Sequence, residues 1–115
     1  MKGLDKAALD HVAEYFRLLA EPTRLCLLNA LRNGEMTVSD LADHAESTPA
    51  NVSKHLSMLA KSGFVHRRNQ GTNVYYNVAD PDIYTLCDLV CGQIAKRLSA
   101  HASAHAIFRR AAKRS

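Results

Sequence analysis

The stretch TPANVSKHLSMLAKSG, residues 48–63, decides the fold of this 115-residue chain. Thr48 followed by Pro49 is typical of a helix start, because a threonine hydroxyl caps the first turn and proline suits its first position. Gly63 is a typical helix stop. Between these signals, apolar side chains recur at helical spacing: Val52, Leu56, Leu59 and Ala60. The stretch therefore predicts a helix from Pro49 to about Ser62 with one buried face.

The other side of this helix is small, polar and cationic. At ~100° per residue, the residues that point away from Val52 or flank that direction are Ala50, Asn51, Ser53, Lys54, Ser57 and Lys61. Short side chains allow close approach to base edges, and lysine neutralises phosphate. An ordinary solvent-exposed face would normally include Asp or Glu, yet none occurs from Ser47 to Ala79. The face predicts a helix that enters the major groove of double-stranded DNA.

Three helices are predicted before this one. Apolar residues at three- and four-residue steps indicate a first helix from about Leu4 to Leu19. A second begins at Pro22 and continues to a stop signal at residues 33–34. A short third helix covers residues 38–44, with Thr37 as its N-cap.

After Gly63 the pattern changes from helical to β. Residues 64–68 and 74–78 are β-rich runs joined by a polar loop, residues 69–73, and they predict a hairpin with a basic first strand. Asp80 and Pro81 then begin a last helix with apolar residues at helical spacing. The predicted fold is mainly α with a β-hairpin wing. It is a winged helix-turn-helix in which four helices are followed along the chain by two strands and a fifth helix.

The predicted DNA contacts come from the fourth helix and the wing. They are Thr48, Ala50, Asn51, Ser53, Lys54, Ser57, Lys61, Arg67, Arg68, Gln70, Gly71 and Asn73. The charge distribution supports this assignment. Residues 1–46 hold five Lys/Arg and eight Asp/Glu, a net −3, whereas residues 47–115 hold ten and three, a net +7. A localised positive charge is expected on a surface that faces a polyanion.

The length predicts one domain, residues 1–115, in which residues 96–115 form a basic C-terminal extension of the last helix. That extension is also typical of a solvated helix end. No apolar run reaches the ~18 residues of a membrane span, and the N-terminus lacks the pattern of a secretory signal. We therefore expect a cytoplasmic protein with no membrane partner. An odd number of cysteines, three, favours reduced thiols over disulfides.

The first and last helices carry more apolar surface than a chain of this length would cover alone. This surplus predicts a homodimer through the two outer helices. The candidate interface residues are Leu9, Val12, Phe16, Ile83, Leu86, Val90 and Ile94.

Four motifs together resemble the ArsR/SmtB family of bacterial repressors. They read LAEPTRL at residues 19–25, TVSDLA at 37–42, NVSKHLSMLAKSGFV at 51–65 and GTNVYYNV at 71–78. The resemblance covers roughly residues 16–94. It implies a homodimer that binds an inverted-repeat operator and is released by a metal ion or a thiol-directed signal. The same pattern places His55 beside the DNA face.

The sequence departs from two sensor sites of that family. The third helix has no Cys-x-Cys, and the last helix lacks the Asp-x-His and His-x-x-Glu pairs. Cys87 and Cys91, four residues apart on one helix face, can instead share a soft metal or metalloid ion as inducer. The possible third ligands are Cys26, His101 and His105. Simple packing of the two thiols is an open alternative, and so is a redox or persulfide sensor that pairs Cys26 with Cys87 or Cys91.

Two other classes of protein are less consistent with the sequence. An enzyme would need a catalytic or phosphate-binding motif, and no such motif occurs, so we expect neither an enzyme nor a protein substrate. A winged helix can also serve only as a dimerisation module. The lack of acidic residues in the fourth helix and the wing favours DNA binding over that role.

Overall fold

The computed structural model describes residues 3–99, which form two compact units divided after Ala79. The first unit contains α1 (Lys6–Leu19), α2 (Pro22–Ala30), a 3-10 turn (Leu31–Asn33), β1 (Met36–Thr37), α3 (Val38–His44), α4 (Pro49–Lys61), β2 (Val65–Gln70) and β3 (Asn73–Val78). The second unit contains α5 (Asp82–Arg97). The predicted arrangement of five helices and a β-hairpin is confirmed.

Side-chain caps explain where the helices begin. The Asp5 carboxylate accepts a hydrogen bond from the Ala8 backbone N–H, and Glu21 accepts one from Arg24. The hydroxyls of Thr37 and Thr48 accept from the third residue of α3 and of α4. Each cap satisfies a backbone donor that has no partner inside the helix. These bonds set the starts of α1 to α4 within the first unit.

The core of the first unit is aliphatic. Its fully buried side chains are Leu27, Leu28, Leu31, Leu41, Val52, Leu56, Leu59 and Val65. The predicted inward face of α4 is confirmed, because Val52, Leu56 and Leu59 are all inaccessible to solvent. Burial of each such side chain stabilises the fold by ~1.5–3 kcal/mol. The buried face therefore determines which side of α4 remains exposed.

The sheet differs from the predicted hairpin in two respects. A short strand, β1, pairs antiparallel with β3, which gives a three-stranded sheet in the order β1-β3-β2. Two residues are too few to show an alternating pattern, so β1 could not be recognised. The predicted five-residue loop is in fact a two-residue turn, because Gln70 pairs with Asn73. Gly71 begins this turn at φ +60°, a conformation that glycine adopts without steric cost.

The ends of two helices also differ from the prediction. α2 ends at Ala30, whereas the prediction extended it to residues 33–34. The chain continues from Ala30 into the 3-10 turn Leu31–Asn33. In the second unit, Pro81 is the N-cap residue of α5 and provides no side-chain cap. The Asp80 carboxylate accepts a hydrogen bond from the Asp82 N–H instead, at 2.9 Å.

Among the described residues, no helix is both long and apolar enough to cross a bilayer.

Candidate nucleic-acid interface

The turn between α3 and α4 is held by backbone hydrogen bonds. The Ser47 N–H donates to the Ala42 carbonyl at 3.0 Å, and the Glu46 N–H donates to Asp43 at 3.2 Å. Glu46 adopts a positive φ of 52° at the position that glycine usually occupies in such a helix end. A short connection, residues 45–48, therefore joins the end of α3 to the start of α4 at Pro49.

The outward face of α4 is exposed as predicted. Ala50, Asn51, Lys54, Ser57 and Lys61 are exposed, and Ser53 is half-buried. Lys54 and Lys61 form no ion pair with any residue from 3 to 99. Their charges therefore remain available for an external anion.

Asn51 and Thr48 have structural roles at the start of α4. The Thr48 hydroxyl accepts a hydrogen bond from the Asn51 N–H at 3.1 Å. The Asn51 side-chain amide donates to the Ser47 hydroxyl at 2.9 Å. These two bonds fix the first turn of the helix on the side where contacts with bases were predicted.

His55, which the family resemblance places beside the DNA face, is half-buried on α4, and its contact with DNA stays a prediction. Its side chain is only 15% exposed, and its Nδ1 lies 3.7 Å from the Glu21 Oε2. Glu21 also caps α2. Its carboxylate accepts a hydrogen bond from the Arg24 backbone N–H, and this bond is the main cause of the lowered pKa of Glu21. Nearby positive charge adds to that effect. The His55 side chain on α4 therefore lies next to the start of α2.

The predicted wing residues are all exposed, but their surroundings differ. Arg67, Gln70, Gly71 and Asn73 lie at or near the end of the hairpin. The Arg68 guanidinium donates from Nε and Nη2 to the two Glu35 carboxylate oxygens, at 2.8 and 2.7 Å. This bidentate pairing lowers the pKa of Glu35 and raises that of Arg68. Arg67, by contrast, has no ion-pair partner among residues 3–99.

A groove of about 340 Å³ connects α4 to the wing. It is lined by Thr37, Val38, Ser39, Pro49, Ser53, Thr72, Asn73 and Val74. The groove brings together Ser53 and Asn73, which were predicted separately as contacts. Thr72 belongs to the polar loop predicted at the end of the wing. Ser39 was missed, because the cap signal of α3 does not indicate which polar side chains border a groove.

The cysteines and histidines of the predicted sensor are only partly described. Cys26 on α2 and Cys87 and Cys91 on α5 are half-buried. At ~100° per residue, both α5 cysteines lie on the side of that helix opposite Leu89. Residues 3–99 contain no group of three His, Cys, Asp or Glu side chains arranged to hold a metal ion. His101 and His105 lie outside the described residues, as does most of the predicted basic extension, residues 96–115.

The predicted interface residues fall into three groups. Leu9, Phe16 and Val90 are exposed apolar side chains, and Val12, Leu86 and Ile94 are half-buried. Ile83 is only 5% exposed within its own chain. Leu89, which is 64% exposed, was missed. It follows Leu86 by three residues, and that helical spacing could have identified it.

Comparisons with known proteins agree with this architecture. Residues 21–67 match the model of the arsR family of bacterial regulatory proteins. A Streptomyces lividans protein named "Probable mercury resistance operon repressor" is 42% identical over 77 residues, which cover 67% of this chain and 62% of the relative. The chain thus spans less than two thirds of that relative's length.

Two solved structures are similar over nearly their whole length. A homodimeric winged helix-turn-helix DNA-binding domain from Mycobacterium bovis is 33% identical, with a TM-score of 0.71, and the match covers 88% of this chain and 96% of that one. An antimony-specific transcriptional repressor is 31% identical, with a TM-score of 0.74, and the match covers 86% of this chain and 90% of that one. This chain therefore belongs to the arsR family of bacterial regulatory proteins.

Proposed function

We propose that the chain is a cytoplasmic, homodimeric transcriptional repressor that binds double-stranded operator DNA and releases it when a soft metal or metalloid ion binds to α5. The observation that carries the DNA-binding part is the outward face of α4. It combines two lysines that form no ion pair with residues 3–99 with small polar side chains, and it borders the groove that leads to the wing. Membership of a family of regulatory proteins supports the same function.

The chemistry of this face suits a duplex. Ala50, Ser53 and Ser57 are short enough for the helix to enter the major groove, and serine hydroxyls can hydrogen-bond to base edges. Lys54, Lys61 and Arg67 would neutralise phosphates and fix the orientation of the protein. Six cations in the dimer would therefore supply most of the electrostatic affinity.

We propose that the homodimer forms through α1 and α5. Each helix exposes apolar side chains, notably Phe16 on α1 and Val90 on α5. A two-fold interface would cover each of these patches with a partner's apolar surface. Two copies of α4 could then read the two halves of an inverted repeat.

The proposed inducer site is the pair Cys87 and Cys91. Side chains four residues apart on a helix are neighbours at about 5–6 Å, so two thiolates can bind one ion. Thiolates select soft ions, and mercury and antimony, which appear in the names of two relatives, are thiophilic elements. A further ligand would come from the partner chain, Cys26, His101 or His105. The ion would favour a dimer conformation with lower affinity for DNA, and ~1.4 kcal/mol of coupling would weaken operator binding tenfold.

The test is operator release under strict anaerobiosis. Reduced protein bound to duplexes enriched from a random-sequence library is titrated with Hg²⁺, antimonite, arsenite, Cd²⁺ and Zn²⁺, and separately with an organic persulfide. We expect a thiophilic ion to release the DNA at stoichiometric concentration. Cys87→Ser and Cys91→Ser should each abolish release. Cys26→Ser identifies the further ligand, because a response like that of the natural chain assigns this ligand to the partner chain, His101 or His105.

Two outcomes would contradict this inducer site. Release by the persulfide alone, with Cys26 essential, would assign the sensor to thiol oxidation between Cys26 and an α5 cysteine. A full response of a variant that lacks all three thiols would exclude both cysteine mechanisms. It would also direct attention to His101 and His105.

A further inference from the structure

The pair formed by Glu35 and Arg68 connects the two outer strands of the sheet. Glu35 immediately precedes β1, and Arg68 lies in β2, but these strands are separated by β3 and share no backbone hydrogen bonds. The two side chains meet above the middle strand, where the Arg68 guanidinium carbon lies 4.7 Å from the centroid of the Tyr75 ring. Arg68 and Tyr75 are also direct partners in the β2–β3 register.

Arg68 donates its hydrogen bonds to residues of its own chain. Nε and Nη2 donate to Glu35, and Nη1 donates to the Gln70 Oε1 at 2.7 Å. An arginine that binds phosphate uses the same fork of donors. Three of the five N–H donors of Arg68 are therefore engaged within the protein, and the Nε–Nη2 fork is occupied by Glu35. Its positive charge is also offset locally, whereas Arg67 has no such neighbour among residues 3–99.

Glu35 connects the pair to the segment that leads into α3 and α4. β1 continues directly into α3, and α3 is joined to α4 by the short connection at residues 45–48. A side chain that holds β2 to the start of β1 therefore ties the outer strand of the wing to the segment that leads into the helix pair. The backbone pairing of β1 with β3 covers only two residues, and the Glu35–Arg68 pair adds a side-chain connection from the outer strand β2 to the same segment.

We propose that Arg68 is a positioning residue that sets the orientation of the wing relative to α4, and that it does not contact phosphate. This inference rests on the proposed DNA-binding function and refines it. The cation that the wing offers to DNA is then Arg67 alone. Bidentate geometry and the aromatic ring beneath the guanidinium distinguish this pair from an ordinary exposed ion pair, which contributes little.

The test compares Glu35→Gln, Arg68→Gln and the double variant with Arg67→Gln as the matched control. Hydrogen exchange of the β2 and β3 amides reports on the wing without DNA. We expect both single variants to speed this exchange by about tenfold or more, and the double variant to add nothing. Arg67→Gln should leave exchange unchanged.

Operator affinity over a range of salt concentrations provides the second readout. Glu35→Gln and Arg68→Gln should weaken specific binding by similar factors and leave the log–log salt slope unchanged. Arg67→Gln should make the slope shallower by about 2, because the dimer loses two phosphate contacts.

Three results would overturn the positioning role. One is unchanged wing exchange in Glu35→Gln. Another is tighter DNA binding by Glu35→Gln, as expected if that carboxylate only competes with phosphate for Arg68. The third is a log–log salt slope of operator affinity that becomes shallower by about 2 in Arg68→Gln. A natural chain that binds no duplex would contradict the proposed function instead, and the exchange data would still decide whether the pair holds the wing.

Discussion

At the scale of single residues, the two helices α3 and α4 end in the same way with different residues. α3 ends with hydrogen bonds from Glu46 and Ser47 back to Asp43 and Ala42, and α4 ends with the equivalent bonds from Gly63 and Phe64 to Ala60 and Leu59. Glu46 has φ 52° and Gly63 has φ 84°. Glycine adopts this region without steric cost, whereas a residue with a Cβ does not.

This difference leads to a prediction about stability. Glu46→Gly should raise the free energy of unfolding by about 1 kcal/mol, because it removes the steric cost of the left-handed conformation. Gly63→Ala, the matched control, should lower it by a similar amount, since a side chain is then forced into the same region. Urea unfolding measures both changes. If Glu46→Gly instead lowers the free energy of unfolding, the glutamate side chain stabilises the fold by more than its left-handed backbone conformation destabilises it.

At the scale of secondary structure elements, α5 carries both buried and exposed apolar side chains. Ile83 and Ala95 are buried within the chain, whereas Leu89 and Val90 are exposed. Leu89, Val90, Gln93, Ile94 and Arg97 line a shallow groove of about 290 Å³ on the exposed side. Exposed apolar patches of this kind mark interaction surfaces. We assign this face to the proposed dimer.

The corresponding prediction concerns oligomeric state. Leu89→Asp should convert the dimer into a folded monomer, because it places an unpaired charge in the interface but costs the isolated chain little at an exposed position. Asn29→Asp adds the same charge at an exposed site on α2 and should remain dimeric. Sedimentation velocity measures the oligomeric state, and circular dichroism checks the fold. An intact dimer of Leu89→Asp would exclude this face of α5 from the interface.

The elements also show what sequence reasoning can and cannot predict. The start and the buried face of α4 were predictable, because the cap at Thr48 and the spacing of Val52, Leu56 and Leu59 are local signals. The two-residue β1 and the tight turn at Gly71 were not, because they depend on pairing with β3. For the same reason the pairing of Arg68 with Glu35 could not be predicted, since the two residues lie 33 positions apart. Burial of Ile83 was missed because periodicity cannot separate core from interface.

At the scale of the whole molecule, charge is distributed unevenly along the sequence. Residues 1–46 carry −3 and residues 47–115 carry +7. Part of the positive charge is offset inside the fold, because Arg68 pairs with Glu35. In α4 and the wing, Lys54, Lys61 and Arg67 form no ion pair with residues 3–99, and they are the cations that we propose for DNA. The proposed number of phosphate contacts therefore depends on the pairing within the fold and not on the net charge alone.

The most direct test of DNA binding through α4 and the wing is the salt dependence of operator affinity for the natural dimer. Six phosphate contacts predict a slope of log affinity against log salt concentration of about −5 on B-form duplexes, and eight contacts, with Arg68 included, would give about −7. Fluorescence anisotropy on a duplex enriched from a random-sequence library measures this slope. We predict a value near −5. A slope shallower than about −2 would contradict the proposed interface.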